Sequence, residues 1–427
     1  MANIIYTNKC NLSCPFCFAN DNNTKDTKDK TQNYSSTDLW KTVNFLNENP
    51  IRLCGGEPTQ HPDLIEHVDI LIKSGKSIFM MTNGIWPKNF INYINCLSPA
   101  NQLQFSFLFN ILPPNLYSEN QLNTIKKSLD ACCPTRTTLG ITIYKEDFEY
   151  EYIIELAKKY EIKRIRWSVS NTTLERVDLK AYFQKLAHRI ELFLSALEEN
   201  GLTTIHDCGY VPLCFYSKDQ LHKLNFMTDN SMKSGCSHSP IDIDNNGNTW
   251  RCFGLYNWIK VPANKFNSLS EVQKYYDRRI KVLNNLYLFE ECKDCMYHNK
   301  SCGGGCHALR INNALKKNEN ICLNPMDDDD EILKTIPKKA KNVIIKQATG
   351  NKIVFTSSKV YANLDFNTIV FLETIDGYKS VSDLINLWKD NFSSYENAKS
   401  TVINACRKTF EMDLVRINYN YNQKWTP

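Results

Sequence analysis

The sequence predicts an α/β protein that begins with a partial (β/α)6 barrel and continues into two smaller parts. Three observations lead to this expectation. Strand-like runs alternate with helical runs from residue 2 to about residue 205, and cysteines are dense between residues 208 and 322. From residue 343, three strand-like runs precede three helical runs, which is the order of a winged-helix-like domain.

Six runs in the first region are typical of strands, namely ANIIYT, IRLCGG, SIFMMTNG, LQFSFLF, TLGITIY and KRIRWSVS. Helical patterns lie between them, and a long amphipathic helix over about 178–199 closes the region. Alternation of this kind predicts a parallel sheet, which binds ligands in the loops at the carboxyl ends of its strands. Three polar loops occupy that position, at residues 10–17, 55–57 and 82–84.

The remaining chain divides by composition. Residues 206–326 show little periodicity, so we expect bound ligands rather than a large apolar core to stabilise them. The acidic run 327–330 and the basic run 334–342 predict a solvated, charged linker over 327–342. The predicted domains are therefore 1–205, 206–326 and 343–427.

Charge and hydropathy limit the classes of function. A net charge of +5 over 427 residues does not indicate a nucleic-acid or membrane partner, and no stretch of 18 consecutive apolar residues occurs. The opening MANIIYTNKC lacks the basic and apolar regions of a signal peptide, so a cytoplasmic location is expected. In a reducing cytosol, the 17 cysteines favour metal or redox chemistry over disulfides.

Three of these cysteines follow the first predicted strand in a C-x3-C-x2-C pattern: Cys10, Cys14 and Cys17. Three thiolates can bind three irons of a 4Fe–4S cluster and leave the fourth iron open to a small molecule. A zinc knuckle is the alternative, but it would need a nearby fourth ligand, and residues 18–53 contain neither Cys nor His.

The stretch CNLSCPFC resembles the signature of the radical S-adenosylmethionine (radical SAM) family. The resemblance implies that the open iron binds S-adenosylmethionine and that a 5′-deoxyadenosyl radical takes a hydrogen atom from the substrate. CGGEP at 54–58 and MTNG at 81–84 are similar to two further motifs of that family. By resemblance, the cofactor contacts are Phe16, Gly55, Gly56, Glu57, Pro58, Thr82, Asn83, Ser106 and Arg166.

The stretches GCSHSPIDIDNNGNTWRC and ECKDCMYHNKSCGGGC, followed by Cys322, resemble the seven-cysteine SPASM domain, although six residues rather than five separate Cys295 from Cys302. This resemblance implies two auxiliary 4Fe–4S clusters. Cys292, Cys295, Cys302 and Cys322 would bind one cluster, and Cys236, Cys252 and Cys306 the other. Cys208 and Cys214 are both candidates for the missing ligand, unless that iron is open; a zinc ribbon is the alternative.

The C-terminal region resembles the peptide-chaperone domain of pyrroloquinoline quinone biosynthesis, also called the RiPP recognition element. The resemblance implies that the leader of a precursor peptide adds a strand to the edge at 359–364. Its contacts would be Val360, Tyr361, Ala362, Leu364, Val402, Ala405 and Cys406. Nucleic-acid binding is disfavoured because the last helix balances its basic residues with Glu396 and Glu411.

Together, these resemblances imply a peptide maturase that installs a thioether or carbon–carbon crosslink in a ribosomally made precursor. They also imply an external electron donor of the flavodoxin or ferredoxin type. Four alternatives stay open: a peptide epimerase in which Cys54 donates hydrogen, a sulfatase-maturase-like enzyme, a non-enzymatic zinc protein and a nucleic-acid-modifying enzyme. Cys54, Cys96, Cys132, Cys133 and Cys406 match no motif and are expected to be buried small hydrophobes.

Overall fold

The computed structural model describes residues 1–17, 33–170, 178–227, 240–256, 260–282, 286–298, 302–316, 326, 328–340, 343–348, 351–356, 360–361, 364–412 and 414–418. The chain divides into two compact units. The first comprises Met1–Gln273 and Phe289–Leu309, and the second comprises Lys274–Leu288 and Arg310–Pro427. The predicted boundary between residues 205 and 206 lies inside the first unit.

A ten-stranded sheet forms the centre of the first unit. Its strands are β1 Ala2–Thr7, β2 Ile51–Gly55, β3 Ile78–Thr82, β4 Phe105–Asn110, β5 Thr137–Ile143, β6 Arg164–Val169, β7 Thr203–His206, β8 Ile241–Ile243, β9 Asn248–Trp250 and β10 Val261–Pro262. Their order is β10-β9-β8-β1-β2-β3-β4-β5-β6-β7. β1 to β7 are parallel, as the alternating pattern predicts, and β8 is parallel to β1.

The sheet extends beyond the six strands that the sequence predicts. β7 adds a seventh parallel strand, and β8 joins β1 from more than 230 residues away, with Asn3 opposite Asp242. β9 and β10 then continue the same sheet in antiparallel fashion. The cysteine-rich region therefore contributes strands to the sheet of the preceding region.

Residues alternate between two chemically different faces of this sheet. Along β6, Ile165, Trp167 and Val169 are buried, whereas Arg166 and Ser168 are only half-buried. The apolar face is covered by helices, of which those of the first unit are α1 Ser36–Leu46, α2 Leu64–Lys73, α3 Lys88–Cys96, α4 Pro99–Gln102, α5 Glu119–Asp130, α6 Glu151–Lys159 and α7 Leu179–Glu199. The second face mixes polar side chains such as Ser106, Asn110 and Arg166 with apolar ones such as Met81, and is called the polar face below.

Three further helices lie in the region for which the sequence predicts little regular structure: α8 Lys218–Met227, α9 Leu269–Val282 and α10 His307–Lys316. Their apolar residues are sparse in sequence but buried in the structure, among them Val272, Tyr276 and Ile311. Among the described helices, none is long and apolar enough to cross a membrane.

The C-terminal part of the second unit has three strands followed by three helices, at the positions that the sequence predicts. They are β12 Ile344–Ala348, β13 Asn351–Phe355, β14 Val360–Tyr361, α12 Phe366–Thr374, α13 Val381–Trp388 and α14 Tyr395–Glu411. The strands form an antiparallel sheet in the order β12-β13-β14. The Ser380 side chain and the Asp383 carboxylate cap α13 reciprocally, so the S-V-S-D-L stretch is a helix-start signal.

The segment predicted to be a linker is folded in its described part, 328–340. Asp329–Lys334 forms helix α11, and β11 Ile336–Lys339 pairs with β15 Val415–Asn418. Ile332 is fully buried against the core of the second unit, and the Thr335 carbonyl accepts a hydrogen bond from the Val381 amide. The charges mislead because Ile332, Thr335 and Ile336 alternate with them and face inward.

Candidate active site

The loop that follows β1 contains the first three cysteines. The Cys17 amide donates a hydrogen bond to the Cys14 carbonyl (3.1 Å), which closes a turn between them. Desolvation and the nearby Cys17 and Cys10 thiols raise the pKa of Cys14 to about 12. Desolvation also raises the pKa of Cys10, with further contributions from Glu57 and Cys17. The three thiols therefore lie within one another's electrostatic reach.

The two glycines at the end of β2, Gly55 and Gly56, bring the backbone there into contact with the start of the cysteine loop. The Gly56 amide donates to the Thr7 carbonyl (2.7 Å), and the Glu57 amide donates to the Lys9 carbonyl (2.8 Å). A Cβ added to Gly55 would lie 2.3 Å from the Thr7 oxygen, and one added to Gly56 would lie 2.2 Å from the Lys9 oxygen. Both glycines are thus required for the approach to the cysteine loop, in addition to any approach to a cofactor.

Glu57 is fully buried and connects the loop after β2 to the loop after β3. Its Oε1 accepts hydrogen bonds from the Thr59 amide (3.2 Å), the Thr59 hydroxyl (2.7 Å) and the Thr82 hydroxyl (2.8 Å). Its Oε2 accepts from the Asn83 amide (2.7 Å). Burial raises the pKa of Glu57, and the hydrogen bonds oppose that rise. Most of its hydrogen-bonding capacity is therefore used within the protein.

Thr82 is also engaged by its neighbours. Besides its bond to Glu57, its hydroxyl oxygen accepts from the Gly84 amide (3.0 Å) and from the Trp86 indole (2.8 Å). Pro58 is buried in the short turn that begins after Glu57. The Phe16 ring, by contrast, is half-buried and lies 5.2 Å from the Tyr144 ring, centroid to centroid.

The polar face of the sheet contains the remaining predicted contacts. Strand register places Asn110 beside Gly140 and Gly140 beside Arg166, so these residues share one face. Ser106, at the register position of Phe79, lies on the same face and is half-buried. The face can offer hydroxyl, amide and guanidinium groups to a polar molecule.

Arg166 has an acidic partner that the sequence analysis did not identify. Its Nη2 lies 2.5 Å from Asp207 Oδ1, and its Nη1 lies 3.9 Å from the Met81 sulfur. The Asp207 amide donates to the Trp167 carbonyl, which holds the residue beside the end of β6. A carboxylate ligand of Arg166 would therefore have to share the guanidinium with Asp207.

The segments that contain two of the later cysteines, Cys252 and Cys306, pack against each other in the first unit. A Cβ added to Gly254 would lie 2.7 Å from Ala308 Cβ and 3.7 Å from Cys252 Sγ. The Cys252 segment therefore packs against the helix turn that follows Cys306. Their predicted partner, Cys236, lies outside the described residues.

A second set brings Cys214 near the CxxC pair. Backbone hydrogen bonds from the Cys295 amide to the Cys292 carbonyl and from the Cys302 amide to the Tyr297 carbonyl fold this region. The Gly304 amide donates to the Cys302 sulfur (3.4 Å). The pKa of Cys214 is raised by desolvation first and then by the nearby Cys302, Cys292 and Cys295 thiols. Contact between the Phe215 and Phe289 rings (5.5 Å) brings these two segments together.

Cys208 lies elsewhere, next to Asp207. Its carbonyl accepts a hydrogen bond from the Val169 amide (2.9 Å), and its thiol is close enough to Arg166 to affect the pKa of that residue. The structure thus separates Cys208 from Cys214, which the sequence treats as equivalent. Cys322 lies outside the described residues. Among the described residues, no three Cys, His, Asp or Glu side chains converge on a single metal-ion position.

The predicted peptide contacts fall into two groups. Val402, Ala405 and Cys406, predicted on the helix that faces the peptide, are buried in the core of the second unit at 0%, 4% and 0% exposure. Val360 on β14 is 62% exposed, whereas Tyr361 and Leu364 are half-buried. Ala362 lies outside the described residues. Cys54 is buried, as predicted, whereas Cys96 is exposed and Cys132 and Cys133 are half-buried.

Sequence reasoning missed the amide pair that joins the cysteine loop to the TNG loop. Asn11 Nδ2 donates to the Ile85 carbonyl (2.8 Å), and Asn83 Nδ2 donates to Asn11 Oδ1 (2.8 Å). An asparagine directly after the first motif cysteine was the available signal. Such a residue needs a partner when the loop is partly buried.

Comparisons with family models and with curated proteins find partial matches. Residues 4–132 match the Radical SAM superfamily. The chain is 34% identical over 142 residues to the 7,8-dihydro-6-hydroxymethylpterin dimethyltransferase of Methanocaldococcus jannaschii, a match that covers 31% of this chain and 27% of the relative. A probable GTP 3′,8-cyclase of the same organism is 29% identical over 136 residues, covering 30% and 44%. The matched segments thus span less than half of each relative.

Solved structures show the same fold. SuiB of Streptococcus suis, bound to S-adenosylmethionine, has a TM-score of 0.50 and 17% identity over 72% of this chain and 73% of that chain. Native anSMEcpe with bound AdoMet has a TM-score of 0.51 and 14% identity over 74% and 97%. At these identities the likeness concerns the fold alone, and the family match rests on residues 4–132. The comparisons thus relate residues 4–132 to the Radical SAM superfamily.

Proposed function

We propose that the protein is a radical SAM peptide maturase that binds the leader of a ribosomally made precursor and forms a thioether or carbon–carbon crosslink in its core. The observation that carries this proposal is the combination within one chain. A radical SAM domain is joined to a second unit whose three-stranded sheet ends in a short strand with an exposed apolar side chain.

The residues present fit the cofactors that a radical SAM domain implies. Cys10, Cys14 and Cys17 offer three thiols in one loop, Cys10 and Cys14 each lie near the other motif thiols, and the sequence from residue 18 to residue 53 contains neither Cys nor His. Such a donor set suits a 4Fe–4S cluster with one open iron. When bound, the cluster and S-adenosylmethionine supply a carbon radical that can remove a hydrogen atom from a substrate.

The chain's own residues would then bind and orient the substrate. Ser106, Asn110 and Arg166 lie on the polar face of the sheet and can accept or donate hydrogen bonds to a peptide backbone. The cysteine loop follows β1 at the carboxyl edge of the parallel sheet, so a peptide bound over the polar face near that edge would lie close to the loop.

Two auxiliary clusters are part of the proposal. Cys252 and Cys306, together with Cys236, form one ligand set. We assign Cys214 to the other set, with Cys292, Cys295 and Cys302, in the position that the resemblance gives to Cys322. Its thiol lies near theirs, and its segment packs on theirs. Such clusters can accept an electron as a crosslink closes.

The leader would add a strand to the free edge of β14. Val360 is exposed there, and Phe366, at the start of α12, is 78% exposed in the same unit. Main-chain hydrogen bonds give such strand addition its affinity, and apolar side chains give it specificity. The buried residues of α14 support this surface from within rather than touching the peptide.

The first test is the iron and acid-labile sulfide content of anaerobically reconstituted protein, with an assay for 5′-deoxyadenosine after reduction. About twelve irons per chain with 5′-deoxyadenosine formed is the expected result. A Cys14→Ala variant should lose cleavage of S-adenosylmethionine and keep the auxiliary irons. Zinc in place of iron, or undiminished cleavage by the variant, would reject the proposal.

Leader binding is tested at the sheet edge. Val360→Arg should weaken binding of a precursor peptide at least tenfold, because it places a charge where the apolar side chain of a docked strand would pack. Ile344→Arg is the matched control, since Ile344 is similarly exposed (54%) on β12, the opposite edge strand of the same sheet. Equal affinity of the two variants would reject the proposed docking edge.

A peptide epimerase is the second candidate, and the position of Cys54 favours it. Cys54 is buried on the polar face, and Arg166 influences its pKa, which burial keeps well above the usual value. It therefore stays a thiol, the form that can give up a hydrogen atom. An epimerase would leave the peptide mass unchanged in H₂O and add deuterium in D₂O, whereas crosslinking removes a pair of hydrogen atoms.

A further inference from the structure

The side-chain amide of Asn83 is oriented by two hydrogen-bond partners, the Ile85 backbone amide and the Asn11 side chain. Its Oδ1 accepts a hydrogen bond from the Ile85 amide (2.9 Å), which can only donate. Asn11 Nδ2 donates to the Ile85 carbonyl, which can only accept, so Asn11 Oδ1 must face Asn83. Asn83 Nδ2 therefore points at Asn11 Oδ1, 2.8 Å away, and no flip of either amide satisfies all partners.

The second hydrogen of this Nδ2 group is directed at a sulfur. Asn83 Nδ2 lies 3.8 Å from Cys10 Sγ, within the range of an N–H···S hydrogen bond. The backbone of Asn83 is fixed as well, because its amide donates to the fully buried Glu57 carboxylate (2.7 Å). The donor is thus held by contacts that do not depend on any bound cofactor.

We propose that Asn83 is a positioning residue for the radical SAM cluster. Its side-chain Nδ2–H group hydrogen-bonds the Cys10 sulfur and raises the cluster's reduction potential. This role differs from the direct cofactor contact that the TNG resemblance implies for Asn83. It rests on the proposed binding of a cluster by Cys10, Cys14 and Cys17.

The direction of the effect follows from charge. Reduction adds an electron to the cluster and its thiolates, and a hydrogen bond to a ligand sulfur stabilises the more negative, reduced state. Removal of the donor should therefore make the cluster harder to reduce and shift its potential to more negative values. The cluster remains bound, because all three thiols are retained.

Two variants of Asn83 separate this effect from loosening of the loop. Asn83→Asp keeps the shape and the Oδ1 acceptor for the Ile85 amide, but it removes the N–H donor and adds a negative charge beside the sulfur. Asn83→Leu removes the donor without adding charge. Asn11→Ala is the control, because it breaks the Asn11 bonds to Asn83 and Ile85 and leaves the Asn83 donor in place.

The experiment is an EPR-monitored redox titration, without S-adenosylmethionine, of the cluster bound by Cys10, Cys14 and Cys17. The iron content of the protein is measured first. We expect the potential to become more negative from wild type to Asn83→Leu to Asn83→Asp, with Asn11→Ala close to wild type. Omission of S-adenosylmethionine excludes any effect through a lost contact to that molecule.

Three results would overturn the inference. The Asn83 variants could keep the wild-type potential, or they could shift it only when S-adenosylmethionine is added, which would indicate a cofactor contact instead. Asn11→Ala could shift the potential as much as the Asn83 variants, which would indicate a general loosening of the loop. If the wild-type protein held no reducible cluster at Cys10, Cys14 and Cys17, the proposed function itself would be rejected.

Discussion

Replacement of Glu57 by alanine tests whether this carboxylate supports the loops that follow β2 and β3. The substitution removes a fully buried acceptor of four hydrogen bonds. The Thr59 and Thr82 hydroxyls can rotate to other acceptors, but the backbone amides of Thr59 and Asn83 cannot. Each buried, unsatisfied amide costs about 1–3 kcal/mol, so we expect a loss of about 2–6 kcal/mol in the free energy of unfolding.

Glu57→Gln is the matched, smaller perturbation. Its amide oxygen can replace Oε1 and keep three of the four hydrogen bonds, whereas its NH₂ group faces the Asn83 amide and loses the fourth. Loss of that bond costs about 1.5–3 kcal/mol. The variant no longer buries a charge, a cost that is visible in the raised pKa of Glu57, so its net effect should be well below that of alanine.

The assay is chemical denaturation of cluster-free protein, combined with hydrogen exchange of the peptide that contains residues 82–86. Because no cofactor is present, a lost cofactor contact cannot contribute to the result. Glu66→Ala is the control, since Glu66 is exposed on α2 and surface changes of this kind cost less than about 0.5 kcal/mol. If Glu57→Ala matched this control in both measurements, the carboxylate would not support the loops.

Three further predictions concern separate parts of the chain. Burial raises the pKa of Asp242 from 3.8 to about 8, so the folded protein holds an extra proton between these values and loses stability as the pH rises through them. Asp242→Asn should remove that loss, and parallel plots of melting temperature against pH for the two proteins would contradict this. Gly56→Ala should cost about 1–3 kcal/mol, because the added methyl group overlaps a backbone oxygen; an unchanged melting temperature would show that the loops can separate freely. Cys214→Ser should lower the iron content by about four per chain and Cys96→Ser should not, so equal iron in both would remove Cys214 from the second auxiliary set.

The sequence predicts the parallel strands well because their signal is local. Along β5 and β6, buried apolar residues alternate with polar residues or glycine, which is the period-2 pattern of a strand. The helix starts at Ser118 and Ser380 are local too, because each capping box uses side chains three residues apart. Such signals need no knowledge of the rest of the chain.

The pairing of β8 with β1 could not be predicted in the same way. β8 contains three residues, and its partner lies more than 230 positions earlier, so no sequence window includes both. The described segment 328–340 misleads for a related reason. Its charges dominate its composition, whereas its burial depends on Ile332 packing with core residues from 371 onward and on Ile336 pairing with Asn418.

The same distinction separates the parts of the site. Cysteine spacing identifies candidate ligands because a ligand loop is short, but spacing cannot choose between Cys208 and Cys214, which lie six residues apart. The contact between the Phe215 and Phe289 rings, which are separated by 74 positions in sequence, is what brings Cys214 and not Cys208 near the CxxC pair. Likewise, the GGEP and TNG motifs indicate where a cofactor would bind. Only the hydrogen bonds of Glu57 and Asn83 show that these motifs also bind each other and the cysteine loop. Substitutions of Glu57 and Asn83, which lie in the proposed cofactor motifs and also hold the loops together, should therefore alter stability and cluster potential together.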